Sequence, residues 1–317
     1  MAHTTDRRTF LRHSLATPAA AALSLHAAAQ DAPSTPAAAV PQGRIGDLEV
    51  GRLLLGGNLL THYTHSRDLK YVYNLAAHYN TDEKIIETLA LAEQHGVNTL
   101  VVHTVPRTLS TLRKYRQEQG GKMQWIICPT APVKDDLAEY AKQVQELVDD
   151  GTEAIYLWGV HADALAAKGR GDLIAKAVAL VKEHDIPSGV GAHDFKVLEA
   201  CAEHNVDADF YIKTLHHHNY PSGPKPEELT KPYSEIPGYW CRDPQEVIDF
   251  MAGVDKPWIA FKVMAAGAIP PADAFQYAFE NGADHIVAGM FDFEIAEDAG
   301  IVNDVVAKVA RDRPWRS

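Results

Sequence analysis

The chain has 317 residues, 46% of them hydrophobic, and a formal net charge of −12. That acidic balance, with no basic stripe along the sequence, argues against nucleic acid as a partner. The cysteines, Cys128, Cys201 and Cys241, are spaced for neither a disulfide framework nor a zinc motif; Cys128, in an apolar strand, and Cys201, in an amphipathic helix, read as buried thiols.

In chain order, the first feature is an address. Asp6-Arg7-Arg8-Thr9-Phe10-Leu11 is a twin-arginine export motif; a mostly apolar stretch follows from Leu15 to Leu25, then Ala27-Ala28-Ala29 as a small-residue cleavage site. The apolar stretch is too short for a stable membrane anchor. Residues 1–29 are therefore expected to be a signal that sends the chain to the periplasm or beyond. Residues 30–44, rich in Ala, Pro and Ser, read as a flexible leader. Residues 45–317 remain for a single domain.

From there, short apolar runs alternate with segments of helical period, which argues for a parallel sheet flanked by helices. The expected strands are 52–55, 99–103, 125–128, 154–158, 189–191, 210–215, 258–263 and 285–288. Most are largely apolar, as strands buried on both faces are. Thr81-Asp82-Glu83-Lys84 opens a helix with a cap and an early acid. Asp172 is expected to cap the helix running to His184, and Pro270-Pro271 to open one that stops at Gly282. Eight units in one order predict a closed (β/α)8 TIM barrel rather than an open doubly wound sheet. No dinucleotide fingerprint follows the first strand, because Leu55-Gly56-Gly57-Asn58 is a turn.

Barrel enzymes keep their active sites at the C-terminal ends of the strands. Just after predicted strands come His62, His65, His78, His103, His161, His193 and the run His216-His217-His218. Two connections, 60–80 and 218–241, are too long for plain loops and fall on the same face. They bring Tyr63, Tyr220 and Trp240, which together with His217 are the residues expected to bind substrate, the aromatic rings of these loops suited to a carbohydrate or another ring-bearing ligand.

The stretch Ile186-Pro187-Ser188-Gly189-Val190-Gly191-Ala192-His193-Asp194-Phe195 resembles the fifth strand of the aldo/keto reductase superfamily, and Gly96-Val97-Asn98-Thr99-Leu100 resembles the approach to its second. The likeness covers most of residues 45–310. It implies a barrel and hydride transfer from NADPH. The chain departs from the family at the chemistry. Val101-Val102-His103 stands where members carry Asp-Thr-Ala, with Pro106 near the tyrosine position. Cys128-Pro129-Thr130 ends the third strand where a catalytic Lys is expected, and His161 is displaced by about two residues from the family's histidine. Phe291-Asp292-Phe293-Glu294 replaces the basic cluster that holds the NADP phosphate, so NADP is not expected.

The replacements suggest other chemistry. His103, His161, His193 and His216 end or follow strands and are expected to converge as ligands for a divalent metal such as Zn or Mn, or to hydrogen-bond substrate. Lys213 and Lys262 lie in apolar strands, where a lysine is costly unless paired or functional. Lys262, Lys213, His161 and Asp292 are the candidate catalytic groups, although Lys262 could equally form an ion pair with Asp292 or Glu294. The first reading is metal- or Lys/His-assisted proton transfer on a small carbohydrate or polyol-type carbonyl, as in a lyase, hydratase or isomerase. The alternatives are an NAD(P)-dependent oxidoreductase of the aldo/keto reductase type and a non-enzymatic metal- or sugar-binding envelope protein.

Overall fold

A hairpin precedes the barrel. Strands β1 (Gln42–Ile45) and β2 (Leu48–Gly51) pair antiparallel across the two-residue turn Gly46-Asp47, where Gly46 takes a φ of +58°. Ile45 and Val50 are fully buried and join Leu54, Val101, Ile126 and Ile259 in the cluster inside the barrel. The hairpin thus plugs the floor. Residues 42–44, expected in the leader, belong to β1 instead. The computed structural model describes residues 39–229 and 241–317. The expected export signal, residues 30–38 of the leader and Trp240 lie outside the described residues.

Eight parallel strands then close on themselves: β3 (Leu53–Gly56), β4 (Thr99–His103), β5 (Gln124–Cys128), β6 (Ala154–Leu157), β7 (Ser188–Ala192), β8 (Phe210–Thr214), β9 (Trp258–Phe261) and β10 (His285–Ala288). The order is sequential, with β10 bonded to β3. Each expected strand appears, shifted by up to two residues at its ends. The apolar runs were legible because both faces are buried: one looks into the barrel, the other toward the helices. The larger core fills the layer between strands and helices.

The helices are α1 (Lys70–Tyr79), α2 (Asp82–Gln94), α3 (Pro106–Glu118), α4 (Ala138–Asp149), α5 (Gly159–Ala167), α6 (Gly171–Lys182), α7 (Lys196–Glu203), α8 (Pro244–Ala252), α9 (Pro271–Glu280) and α10 (Ile295–Lys308). Thr81 caps α2, its Oγ1 accepting the Lys84 N–H at 3.2 Å. Asp172 is not a cap: Arg170 holds the N-cap of α6, and Asp172 sits in the first turn, bound to the Arg170 guanidinium. Pro270 and Pro271 open α9 as expected. The three cysteines are buried and free. No helix among the described residues is long and apolar enough to cross a membrane.

Below the barrel, the C-terminal tail returns to the floor. Arg313 and Arg311 reach the fully buried Asp284 carboxylate at 2.6 and 3.3 Å. The Trp315 ring lies between the guanidiniums of Arg52 and Arg311, at 4.0 and 3.7 Å.

Candidate active site

A cavity of about 800 Å³ opens at the C-terminal ends of the strands. Its wall carries three imidazoles and one ammonium: His65, His103, His193 and Lys262. Each is placed by a different element.

His103 is the last residue of β4. Its ring stacks on Trp158 with centroids 6.2 Å apart and planes at 11°, and Tyr63 meets it edge-on at 5.8 Å. Burial lowers its pKa. His193 follows β7, where the strand gives way to a bend. Its Nδ1 lies 2.8 Å from Asp163 Oδ2, and the other oxygen of Asp163 accepts the backbone N–H groups of His193 and Asp194. A carboxylate at Nδ1 fixes the proton there, leaving Nε2 as the basic nitrogen. Burial lowers the His193 pKa and nearby Lys262 and Lys213 add to the effect, while Asp163 opposes it.

Lys262 leaves β9 in a left-handed conformation, φ +57°. Ala265, Ala266 and Gly267 follow at +47°, +57° and +79°. Non-glycine residues in this region store about 1–3 kcal/mol each and cluster at functional sites. The turn carries the Lys262 Nζ to 3.1 Å from His65 Nε2. An ammonium can only donate, so that nitrogen of His65 accepts. Burial, then Lys262, His193 and His103, push the His65 pKa down to about 2.

Of the expected site residues, His103, His193, Lys262 and Tyr63 come together on this wall. The proposed metal quartet is divided. α5 begins at Gly159, directly after Trp158, so His161 lies in the first helical turn and packs edge-on behind Trp158 at 5.1 Å. His216 is fully buried, its Nδ1 on the His217 carbonyl at 3.1 Å, and does not line the cavity. Among the described residues no group of three His, Cys, Asp or Glu could hold a metal ion.

Lys213 points outward, because alternation along β8 puts Ile212 inside the barrel. Its ammonium donates to the His193 carbonyl (2.9 Å) and to Thr214 Oγ1 (2.7 Å), supporting the loop that carries His193. Asp292 accepts from Tyr79 Oη at 2.7 Å and from Lys84 Nζ at 3.2 Å, so Lys84, and not Lys262, is its cationic partner. Glu294 does not pair with Lys262 either: its carboxylate accepts the Phe291 N–H at 2.8 Å, at the N-cap of α10. His217 lies 3.3 Å from Asp273, and Tyr220 packs on His216 and His217; both stay off the cavity wall.

The sequence reading missed three contributors. His65 was visible among the histidines after strands but had no partner in view. Trp158 passed for the end of a strand. Asp163 gave no signal at all, because its role depends on α5 packing beside β7.

No protein-family model matches the sequence, and no curated protein does. Solved structures do. A protein from Pseudomonas aeruginosa provisionally assigned as an aldo-keto reductase superposes with a TM-score of 0.56 at 17% identity, covering 84% of this chain and 94% of its own. A protein provisionally assigned as 2,5-diketo-D-gluconic acid reductase B gives 0.51 at 12% identity, covering 84% and 90%. The chain therefore shares its barrel fold with these structures. The resemblance read from the strand motifs holds at the level of the fold.

Proposed function

We propose that this chain is an oxidoreductase that interconverts a carbonyl and a hydroxyl group on a small carbohydrate or polyol-type substrate. The fold comparisons back this alternative better than the lyase, hydratase or isomerase reading, since the neighbouring structures carry reductase names. The observation that carries the proposal is the Lys262–His65 contact on the cavity wall. Lys262 donates a proton to the oxygen of a bound carbonyl as negative charge grows there, and His65 holds the ammonium in line. His103 and Trp158 shape the wall beside it. Tyr63 covers the mouth from the long first loop.

A nicotinamide dinucleotide would supply the hydride. We take this to be a form without a 2′-phosphate. Glu294 puts a carboxylate at the start of α10, the position at which a helix end would otherwise attract phosphate. A carboxylate suits a ribose hydroxyl and repels the phosphate of NADP. Zinc or manganese has lost two of its four expected ligands, His161 and His216, from the cavity wall.

Purified protein offered NADH or NADPH with a panel of ketoses and aldoses tests this. Loss of reduced-nicotinamide absorbance with NADH, and far less with NADPH, is the expected result. The second reading, proton abstraction beside a carbonyl, is favoured by the Asp163–His193 pair, which presents a neutral base. Solvent deuterium entering the substrate with no change in nicotinamide would establish it in place of the first.

A further inference from the structure

The exposed large hydrophobic residues of the described chain all lie in segments that follow the C-terminal ends of barrel strands. They are Tyr63, Leu69, Tyr71, Tyr73, Leu75 and Tyr79 from the first long connection, Val160 after β6 and Phe293 after β10. Concentrated apolar surface of this kind marks a contact site. One part of it is continuous with the cavity. Phe291 lines the cavity, and Phe293 lies parallel to it with centroids 5.3 Å apart and planes at 8°. Tyr79 meets both rings edge-on, at 5.6 and 6.3 Å. Phe293 is nonetheless 69% exposed.

The ledge is held from below. Tyr79 donates to Asp292, which also takes Lys84, and Lys84 in turn reaches Glu87 at 2.6 Å. Flat apolar faces therefore stand beside a carboxylate–ammonium–carboxylate fringe. That pairing suits a sugar ring, whose C–H face packs on aromatic carbon while its hydroxyls bond to charged groups.

We propose that Phe291, Phe293 and Tyr79 form a second subsite, which takes a further sugar ring attached to the unit held in the cavity. The proposal rests on the carbohydrate reading of the cavity and extends it: the natural substrate is a glycoside or short oligosaccharide rather than a lone monosaccharide. The aromatic pair runs from the cavity lining, at Phe291, to solvent, at Phe293.

Binding, measured without any cofactor, separates this from the redox proposal. Methyl glucoside, cellobiose and cellotriose are titrated against the whole protein by saturation-transfer NMR, in parent and in Phe293→Ser. Because Phe293 is a surface residue, the variant should fold, and a thermal melt checks that it does. The parent is expected to prefer the disaccharide to the monosaccharide by about tenfold, and the variant to lose that preference while keeping its monosaccharide affinity. Equal affinities along the series, no binding of any member, or an unchanged preference in the variant would each overturn the subsite. So would a nitrophenyl glucoside binding as tightly as cellobiose, because the ledge would then be a site for any flat ring. Failure of nicotinamide turnover leaves these titrations readable.

Discussion

Asp163 holds His193 by side chain and backbone together: one carboxylate oxygen faces Nδ1 at 2.8 Å while the other accepts the His193 N–H at 3.0 Å. A helix of one βα unit thereby sets both the tautomer of an imidazole from the next unit and the path of its loop. The Asp163→Asn variant presents an NH₂ group to donors and should lose about 1–3 kcal/mol of stability. Turnover should fall on the order of 100-fold if His193 moves a proton. Asp163 raises a pKa that burial lowers, so its removal shifts the acid limb of kcat/KM to lower pH. An acid limb that stays in place would remove His193 from the proton-transfer step.

Lys262 can be tested by two substitutions. Lys262→Met should abolish turnover and leave the melting temperature near that of the parent, because an apolar chain of similar length replaces a partly buried charge. Lys262→Gly should also abolish turnover yet raise the melting temperature, since glycine adopts φ +57° without strain. The gain is expected near 1 kcal/mol. Retained activity in either variant would assign the ammonium a structural role.

Acid should destabilise this protein well above the range in which carboxylates titrate. Burial, in each case the largest cause, pushes His65 to about 2, His216 to about 3 and His285 to about 4. The unfolded chain binds these protons near the ordinary imidazole value, and the folded chain does not. Stability is therefore whole above that value and falls as pH drops below it, until each folded pKa is reached. The slope is about 1.4 kcal/mol per pH unit for each group. Asp298 runs the other way: burial, with Glu294 and Glu297, raises it to about 7, so its contribution is lost as pH rises toward neutrality. Denaturant melts from pH 8 to 5 on parent and Asp298→Asn separate the two, with the variant gaining stability at the alkaline end.

Among the described residues Asp284 is the sole carboxylate that pairs with Arg311 and Arg313 beneath the barrel, and it also accepts the Trp258 N–H at 2.9 Å. Asp284→Ala leaves buried guanidiniums without their counter-charge and should cost about 3–5 kcal/mol. Chemical denaturation gives the measurement. A loss below 1 kcal/mol would mean that Trp315 and the carbonyls around Arg313 hold the tail by themselves.

The barrel was legible because its strands are buried on both faces, which leaves continuous apolar runs such as Trp125-Ile126-Ile127-Cys128. The hairpin was not: its residues adjoin an Ala/Pro/Ser-rich stretch, and Ile45 and Val50 acquire meaning only once there is a floor to fill. His103 and His193 were legible for the same reason as the strands, since each stands where one ends. His161 misled because one residue, Trp158, separates strand from helix, and the helical turn carries His161 off the wall. Lys213 misled because alternation along β8 was not resolved by a run in which every residue is buried. Asp163 was invisible because pairing between neighbouring units leaves no local pattern.

With Ile45 and Val50 stopping one end of the barrel, the chamber is a blind alley. Anything that reaches the wall of imidazoles comes and goes through the open end, whose lining includes Tyr63 and Phe291. Two molecules sharing such a space cannot exchange independently. The one lodged deeper has to arrive first and depart last, so initial-rate kinetics with two varied reactants should show an ordered sequence, with the outer product released before the inner one.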